Sequence, residues 1–264
     1  LSNIDPHTLA GVRVVCTDID DTLTRDGRLL PQAYSALWRL HEAGVAVIPV
    51  TGRPAGWCDA IVRQWPVRAV IGENGAFAYY LEGGIRKEIV HPNAHPGGLG
   101  DQADELIRAV QREVPQARAS SDQEFRRYDL SIDYAEDEPR LSVEDADRIR
   151  VVLESHGLTV KISSIHVNAW LGSYTKLDMA RQVFSTLLNL PEPEWHTAVL
   201  YAGDSPNDGP MFESFALSVG VANVAEWGDL LESPPAWITA SPYGAGFAEL
   251  ATMLLMARAS RAAQ

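Results

Sequence analysis

The sequence is poor in cysteine and has no long apolar run. Its 264 residues include two cysteines, Cys16 and Cys58, too few for a disulfide framework and too far apart for a Cys-x-x-Cys metal site. No uninterrupted apolar segment approaches the roughly 20 residues that a transmembrane helix needs. The N-terminal segment LSNIDPHTLAG lacks the basic and apolar regions of a secretory signal. We therefore expect a cytoplasmic protein without structural disulfides.

Basic residues are outnumbered by acidic ones. The chain has 22 Lys and Arg against 35 Asp and Glu, a formal net charge of −13. An acidic surface repels nucleic-acid backbones and anionic lipid headgroups, so we expect neither nucleic acid nor membrane as a partner. The 46% hydrophobic residues are ordinary for a globular protein and exclude a disordered chain. The surplus of carboxylates raises the question of whether some of them surround a cation.

Both ends of the chain alternate strands with helices. Apolar runs rich in β-branched residues predict buried strands at 12–17, 45–50, 68–71, 197–202 and 216–221. Helical spacing of apolar residues predicts helices over 31–43, 54–65, 174–188 and 244–256, with a short helix near 227–231. This order is typical of an α/β fold with a Rossmann-like, doubly wound parallel sheet.

The middle of the chain has a different pattern. Strands at 77–81 and 85–90 flank Glu82-Gly-Gly84 and predict a hairpin, and a loop rich in Pro and Gly follows over 91–100. Single helices then mix with strands, with helices at 101–114 and 142–156 and strands at 128–134, 158–162 and 165–171. We therefore predict a core in two segments, 1–84 and 172–264, with an inserted α+β domain at 85–171.

Polar residues cluster where the predicted core strands end. They are Asp18, Asp20 and Asp21 after the first strand, Thr51 and Gly52 after the second, and Asp204 and Asp208 after strand 197–202. The carboxyl ends of parallel strands meet at one edge of the sheet, where ligands bind. Carboxylates brought that close repel one another unless a cation such as Mg²⁺ compensates. Each cluster alone is typical of a turn or a helix cap. Together with Lys176, which starts a predicted helix, they predict a metal-dependent phosphate site.

These clusters resemble the four signature motifs of a known superfamily. Asp18-Ile-Asp-Asp-Thr-Leu, Thr51-Gly-Arg, Lys176 and Gly203-Asp-Ser-Pro-Asn-Asp208 are similar to the motifs of the haloacid dehalogenase (HAD) superfamily. The resemblance covers the whole chain, because the insert lies between the second and third motifs. An α+β insert there resembles the C2B cap of the Cof-type, or subfamily IIB, phosphatases. It implies a Mg²⁺-dependent phosphatase for a small phosphorylated metabolite, a sugar or polyol phosphate.

The resemblance also implies roles for the aspartates. Asp18 would be the nucleophile that forms an aspartyl-phosphate, and Asp20 the general acid and then the general base. The chemistry agrees, because a carboxylate can carry a phosphoryl group and residues two apart on an extended segment point the same way. Mg²⁺ would be bound by the Asp18 side chain, the Asp20 backbone carbonyl and the Asp204 side chain. Asp208 would act through a water molecule or as the partner of a ligand, and Asp21 would form local hydrogen bonds.

The phosphate itself would be bound by four residues. By the resemblance, Thr51 offers its hydroxyl and Gly52 its backbone N–H to the phosphate oxygens. Lys176 would bridge the phosphate and the Asp18 carboxylate as a compact point charge. Asn207 would add a hydrogen bond from its side-chain amide.

Other positions keep two interpretations. Arg53 either touches the substrate or has a solvated or structural role. Glu73-Asn74-Gly75 resembles the Asn-Gly-Ala stretch of Cof-type proteins, but a turn explains it as well. His166, Asn168 and Trp170 alternate along a predicted strand and share one face. That face could line the substrate cavity, although a cross-strand packing face is favoured.

Two other functions remain open. Phosphomutases share the motifs and the cap type, and differ from phosphatases in passing the phosphoryl group to a sugar hydroxyl instead of water. A non-catalytic protein that binds a phosphometabolite is the alternative from a different class. The intact set of Asp18, Asp20, Lys176 and Asp204 argues against it, because loss of one of these residues would mark such a role.

Overall fold

A five-stranded parallel sheet forms the centre of the molecule. The computed structural model describes residues 4–95 and 97–262. Positions 1–3 and 263–264 of the predicted core segments, and position 96 of the predicted 91–100 loop, lie outside the described residues. The strand order is β14–β13–β12–β1–β4, with every pair parallel. The bounds are β1 Val14–Thr17, β4 Ala46–Pro49, β12 Val199–Gly203, β13 Leu217–Gly220 and β14 Trp237–Ile238.

Helices cover both faces of this sheet because its strands are apolar on both sides. Val15 of β1 packs in a cluster with Leu37 and Phe247, whereas its neighbours Val14 and Cys16 pack in another cluster with Phe184. The helices of the core are α1 Pro6–Ala10, α2 Pro31–Glu42, α3 Ala55–Gln64, α6 Lys176–Thr186, α7 Trp195–Ala198, α8 Gly209–Ser214 and α9 Tyr243–Ala262. The segment predicted as a short helix near 227–231 is part of a 3-10 stretch, Ala222–Leu230.

A three-stranded antiparallel sheet continues the first core segment. It contains β5 Val70–Gly72, β6 Phe77–Glu82 and β7 Ile85–Val90, which includes the predicted hairpin. The strand expected at 68–71 in the parallel sheet is β5, which pairs antiparallel with β6 and meets the parallel sheet through one bridge, Val50 to Ile71. The chain reverses through a 3-10 turn at Glu73–Gly75, so β6 folds back along β5.

The inserted segment folds as a four-stranded antiparallel sheet with two helices. Its strands are β8 Arg118–Ala119, β9 Asp129–Asp133, β10 Thr159–Ile162 and β11 His166–Trp170, in the order β10–β11–β9–β8, and its helices are α4 Gln102–Glu113 and α5 Val143–Ser155. A capping box between Ser142 and Asp145 starts α5. Leu130, Ile132 and Val167 join the apolar cluster that contains residues of both helices. Strand alternation therefore turns the polar residues of β9 and β11 to the opposite face.

The predicted fold class is confirmed: a parallel α/β core accompanied by separate antiparallel sheets of the cap type. A hairpin of β2 Thr24–Arg25 and β3 Arg28–Leu29 follows the first motif. Among the described residues, none of the helices combines the length and hydropathy of a membrane span. The boundaries at 84/85 and 171/172 stay predictions; β7 pairs with β6, so hydrogen bonds cross the first of them.

Candidate active site

Neighbouring strands of the parallel sheet deliver the predicted carboxylates to one place. β1 lies between β12 and β4, with Thr17 in register with Ala202 and Pro49. Asp18 follows β1 directly and Asp204 follows β12 directly. Carboxylate oxygens of Asp18, Asp204 and Asp208 lie within 4.8 Å of one another, and all three residues are buried. The parallel order of the strands explains why these three carboxylates lie together, whereas the sequence predicts at least four in one crevice.

Lys176 is paired with the first aspartate. Its Nζ donates to Asp18 Oδ1 at 2.6 Å and lies 3.4 Å from Asp208 Oδ1. Lys176 is the first residue of α6, and the Thr175 hydroxyl caps that helix by accepting from the Asp178 N–H. Burial lowers the pKa of Lys176, but Asp18 and Asp208 outweigh burial and hold it above its ordinary value. The lysine is therefore a permanent positive charge inside the carboxylate cluster.

Asp208 orients its neighbours. Its Oδ1 accepts from the Tyr201 hydroxyl and from Lys176. Its Oδ2 accepts from the backbone N–H groups of Asp204 and Ser205 at 3.0 and 3.2 Å. With both oxygens already engaged, Asp208 fits the role of a residue that positions Lys176 and the Asp204 loop.

Asp204 is held by side chains from two other loops. Its Oδ1 accepts from the Thr22 hydroxyl at 3.1 Å, and its Oδ2 accepts from Asn223 Nδ2 at 3.3 Å. Burial raises its pKa well above the ordinary value, and Asp208 and Asp18 add to the rise. Thr22 belongs to the first motif, but Asn223 lies far away in sequence and no motif marks it.

The cluster has the properties of a divalent-cation site. Burial raises the pKa of Asp18 to about 8, while Lys176 opposes the rise and Asp208 and Asp20 add to it. Three buried carboxylates with one lysine leave uncompensated negative charge, which a cation would neutralise. Carboxylate oxygens are hard ligands of the kind that Mg²⁺ prefers. The donor set therefore fits the predicted metal.

Asp20 lies apart from the three buried carboxylates and is bound by an arginine. Arg53 donates to both oxygens of Asp20, from Nε at 3.0 and 3.2 Å and from a terminal nitrogen at 2.8 Å. The other terminal nitrogen of Arg53 lies 2.7 Å from Glu136 Oε1. The Arg53 side chain is 3% exposed, so the solvated alternative for this residue was wrong and a structural role is supported.

Glu136 brings the cap into this network. Its Oε2 lies 2.8 Å from Nε2 of His166, a residue of β11. Burial would raise the pKa of Glu136, but the contacts with His166 and Arg53 outweigh it and lower the pKa to about 2. The sequence carries no sign of this role, because Glu136 lies in an acidic loop, Glu136-Asp-Glu138, that is typical of exposed turns.

A small cavity lies among the predicted site residues. It has a volume of about 20 Å³, room for about one water molecule. Its lining includes the predicted residues Asp18, Asp20, Gly52, Lys176 and Asn207, and the cap residues His166 and Asn168. Thr51 is buried beside it but is not among the lining residues; its hydroxyl accepts from the Arg53 N–H at 3.0 Å.

The remaining predicted residues have local partners. Asn207 Oδ1 accepts from the Ser205 hydroxyl at 2.8 Å, which leaves its amide nitrogen to donate. The Asp21 N–H donates to Thr24 Oγ1, and its carbonyl accepts from Asn223. Its carboxyl pKa is raised, by burial first and by Asp20 second. Local hydrogen bonding was the role expected of Asp21.

A second anchor joins cap and core at the Glu73–Gly75 turn. The buried Glu73 carboxylate accepts from the backbone N–H groups of Arg127, Tyr128 and Asp129 in the cap and of Ala55 in the core. Burial, with a contribution from Asp129, raises its pKa to about 7. The segment predicted as a turn therefore also binds the cap through hydrogen bonds to Glu73.

Arg126 links the same part of the cap to the predicted Thr51–Arg53 motif. Its guanidinium donates to the Gly52 carbonyl at 2.9 Å and pairs with Asp129 and Asp122. Its side chain is fully buried. Two cap residues thus contact the predicted Thr51–Arg53 motif: Arg126 at the Gly52 carbonyl and Glu136 at the Arg53 side chain.

Part of the chain matches a known protein family. Residues 15–94 match the haloacid dehalogenase-like hydrolases, over a range that contains the first two predicted motifs. The resemblance to the HAD superfamily is confirmed. No curated protein matches this chain in sequence.

Solved structures share the HAD fold along nearly the whole chain. A HAD/COF-like hydrolase from Plasmodium vivax has 17% identity and a TM-score of 0.69, with 96% of this chain and 99% of that chain covered. A HAD phosphatase from Bacteroides thetaiotaomicron has 17% identity and a TM-score of 0.63, with 96% and 99% covered. A sugar phosphatase of HAD subclass IIB has 14% identity and a TM-score of 0.63, with 93% and 99% covered. At these identities the likeness establishes the fold.

Proposed function

We propose that this HAD protein is a Mg²⁺-dependent phosphatase that hydrolyses a small phosphorylated metabolite, a sugar or polyol phosphate, in the cytoplasm. The observation that carries the proposal is the buried ion pair of Asp18 and Lys176 inside a carboxylate cluster, with Asp20 two residues further along. The two buried free cysteines fit a reducing compartment.

In the first half of the reaction, Asp18 acts as the nucleophile. One of its carboxylate oxygens attacks phosphorus, and the bond between phosphorus and the ester oxygen breaks. The electron pair of that bond goes to the leaving oxygen, which takes a proton from Asp20. Lys176 Nζ, 2.6 Å from Asp18 Oδ1, offsets the negative charge of both the aspartate and the phosphoryl group.

In the second half, water releases the phosphate. Asp20, now ionised, takes a proton from the water molecule while the water oxygen attacks phosphorus. The bond to Asp18 breaks and the free carboxylate is restored. Splitting one displacement into two lets the same residue serve first as acid and then as base.

The metal would be bound by Asp18 and Asp204, with Asp20 contributing its backbone carbonyl. When bound, it supplies positive charge that orients and neutralises the phosphoryl group. Asp208 would keep Lys176 and the Asp204 loop in place through the contacts described above. The Gly52 N–H, the Asn207 amide and the Thr51 hydroxyl would donate to phosphate oxygens.

The cap limits the size of the substrate. A cavity of about 20 Å³ is too small for a phosphoryl group, so we expect the cap to open when substrate enters and then to close. An adjoining cavity of about 340 Å³ is lined by Asp20 and Arg53 of the core and by Glu136 and Ser164 of the cap. A polar cavity of this size suits a small hydroxylated leaving group, and the subclass IIB neighbour is a sugar phosphatase.

The test is phosphate release from a panel of phosphorylated metabolites, with Mg²⁺ and with EDTA. We expect activity toward small sugar or polyol phosphates that EDTA removes and Mg²⁺ restores. Asp18→Asn should abolish it, whereas Asp59→Asn, at an aspartate on the exposed side of α3, should not. Full activity of Asp18→Asn would contradict the proposal. Transfer of the phosphoryl group to a sugar hydroxyl, without free phosphate, would indicate a phosphomutase.

A further inference from the structure

The polar face of the cap sheet turns three residues of β11 toward the core. His166, Asn168 and Trp170 are 3%, 1% and 1% exposed. The His166 ring lies against Glu136, and the Trp170 ring stacks on Tyr174 with 5.3 Å between centroids. The Asn168 side-chain oxygen has no hydrogen-bond partner within the described part of the chain, and neither has the indole nitrogen of Trp170. A buried, unpartnered acceptor is destabilising unless another group satisfies it.

Asn168 lies over the reacting groups. It lines the same cavity as Asp18, Asp20 and Lys176. Its amide nitrogen approaches Gly52 so closely that a Cβ placed on that glycine would lie 3.2 Å away. The sequence favoured a cross-strand packing face for this residue. Asn168 instead lies where the cap meets Gly52 of the predicted Thr51–Arg53 motif.

The chemistry of the cavity restricts what can satisfy the Asn168 oxygen. It needs a hydrogen-bond donor, and ionised carboxylates are acceptors only. Lys176 already donates to Asp18 and lies near Asp208. The oxygens of a phosphoryl group accept as well, and the proposed function assigns the Gly52 N–H and the Asn207 amide to them. The serine hydroxyls that line the cavity, those of Ser163, Ser164 and Ser205, already bond to His166, Asp21 and Asn207. A hydroxyl on the part of the substrate that leaves is the donor that remains.

We propose that Asn168 is a specificity-determining residue whose side-chain oxygen accepts a hydrogen bond from a hydroxyl group next to the phosphoester of the substrate. The inference rests on the proposed phosphatase function. Because Asn168 lines the same small cavity as Asp18 and Asp20, we place the hydroxyl it binds on the carbon adjacent to the ester carbon. The preferred substrates are monophosphates of polyols that carry such a neighbouring hydroxyl.

The experiment compares two substrates that differ in this hydroxyl. Glycerol 1-phosphate carries it next to the ester carbon, and 3-hydroxypropyl phosphate, which keeps the other hydroxyl, does not. We expect the wild-type protein with Mg²⁺ to prefer glycerol phosphate by roughly tenfold or more in kcat/KM, the size of one hydrogen bond to a buried group. In Asn168→Ala the ratio should fall to about 1, with the turnover of 3-hydroxypropyl phosphate little changed.

Two further variants keep the test decisive. Asn168→Leu replaces the amide by an apolar group of similar shape, and should lose the preference even if Asn168→Ala does not fold. Ser131→Ala is the matched control. Ser131 lies directly opposite Asn168 on β9 and is buried, with a hydroxyl that also has no partner among the described residues, yet it is not among the lining residues of the cavity. Its variant should keep the wild-type ratio.

The possible results distinguish a wrong role for Asn168 from a wrong assignment of phosphatase activity. Equal kcat/KM for the two substrates in the wild type, or equal losses for both in Asn168→Leu, would overturn the role of Asn168 and leave the phosphatase standing. An active enzyme that fails on glycerol phosphate would also overturn it. If the wild type releases phosphate from no ester in the panel, the proposed function fails first and the inference with it.

Discussion

At the scale of single residues, three buried carboxylates share one lysine. Asp18, Asp204 and Asp208 lie within 4.8 Å of one another through their oxygens, and Lys176 approaches two of them. A buried charge without compensation is strongly destabilising. The raised pKa of Asp18, about 8, expresses the same imbalance, since burial and neighbouring acids favour the neutral form. A bound cation should therefore stabilise the fold as well as serve the reaction.

Mg²⁺ should raise the thermal midpoint of unfolding. At saturating Mg²⁺ we expect a rise of roughly 3–8 °C for the wild type, because a ligand that binds the folded state alone stabilises it. Asp204→Asn should lose this rise. Without Mg²⁺, however, the variant should be at least as stable as the wild type, because a neutral amide relieves the repulsion. Differential scanning fluorimetry measures both effects.

The control for this prediction is Asp59→Asn, which changes an aspartate 41% exposed on α3. It should keep the full Mg²⁺-dependent rise. An equal rise in Asp204→Asn and the wild type would show that this carboxylate does not bind the ion.

The residues of this cluster were predictable because each follows a strand end. Asp18 and Asp204 are the residues directly after β1 and β12, and parallel neighbours bring such ends together. The partner of Asp20 was not predictable in the same way. The sequence could not decide between a substrate contact and a solvated or structural role for Arg53, because Arg53 pairs with Glu136, a cap residue far along the chain. No local pattern encodes how one domain covers another.

At the scale of elements, the Glu73–Gly75 turn positions the start of α6. A Cβ added to Gly75, which has a φ of +107°, would lie 2.1 Å from the Thr175 carbonyl oxygen. Thr175 caps the helix whose first residue is Lys176. The turn therefore packs directly against the residue that precedes Lys176.

Gly75→Ala should damage stability and activity together. We expect a loss of about 2–4 kcal/mol in the free energy of unfolding, from the left-handed backbone conformation and the contact with Thr175. The kcat should also fall, by roughly tenfold or more, because α6 and Lys176 must shift away from Asp18. Urea unfolding and steady-state phosphatase assays measure the two effects.

Gly83→Ala is the matched control. Gly83 also has a positive φ, +57°, but a Cβ there meets no atom within 4 Å. Its variant should cost about 1–2 kcal/mol and leave kcat unchanged. Similar losses of kcat in both variants would mean that the contact with Thr175 does not position Lys176.

The strand just before this turn, β5, was wrongly predicted to belong to the parallel sheet. The apolar run at 68–71 predicts a buried strand correctly, but a short apolar run does not specify its partner. The partner is set by the reversal at Glu73–Gly75, where Glu73 and Asn74 adopt positive φ values of 43° and 58°. Two consecutive left-handed residues other than glycine are uncommon, and composition does not predict them.

At the scale of the whole molecule, buried charged groups hold the cap on the core. Glu136 receives Arg53 from the core and His166 from the cap. Its pKa of about 2 lies below the ordinary 4.5, so its ionised form is favoured by folding. That stabilisation is complete at pH values above about 4.5 and is lost as the pH falls toward about 2.

Glu136→Gln should therefore destabilise the protein in a pH-dependent way. Near pH 7 we expect the free energy of unfolding to fall by about 1–3 kcal/mol relative to the wild type. The difference should shrink as the pH drops below about 4.5, because the wild-type carboxylate is then being protonated as well. Urea unfolding of both proteins at several pH values measures it.

Glu138→Gln provides the comparison. Its side chain is 80% exposed beside Arg140, so its effect should stay near zero throughout. A Glu136→Gln effect of constant size over the whole pH range would contradict the ion-pair explanation. In that case the loss would reflect packing alone.

The central claim is that Asp18 accepts the phosphoryl group of the substrate, and trapping that intermediate tests it most directly. The measurement is rapid acid quenching during turnover of the best panel substrate with Mg²⁺, followed by borohydride reduction and peptide mass spectrometry. Reduction converts an aspartyl-phosphate to homoserine, so we expect homoserine at position 18 in the wild type and none in Asp18→Asn. Steady phosphate release by the wild type with unmodified aspartate at position 18, under conditions that trap acyl phosphates, would contradict it.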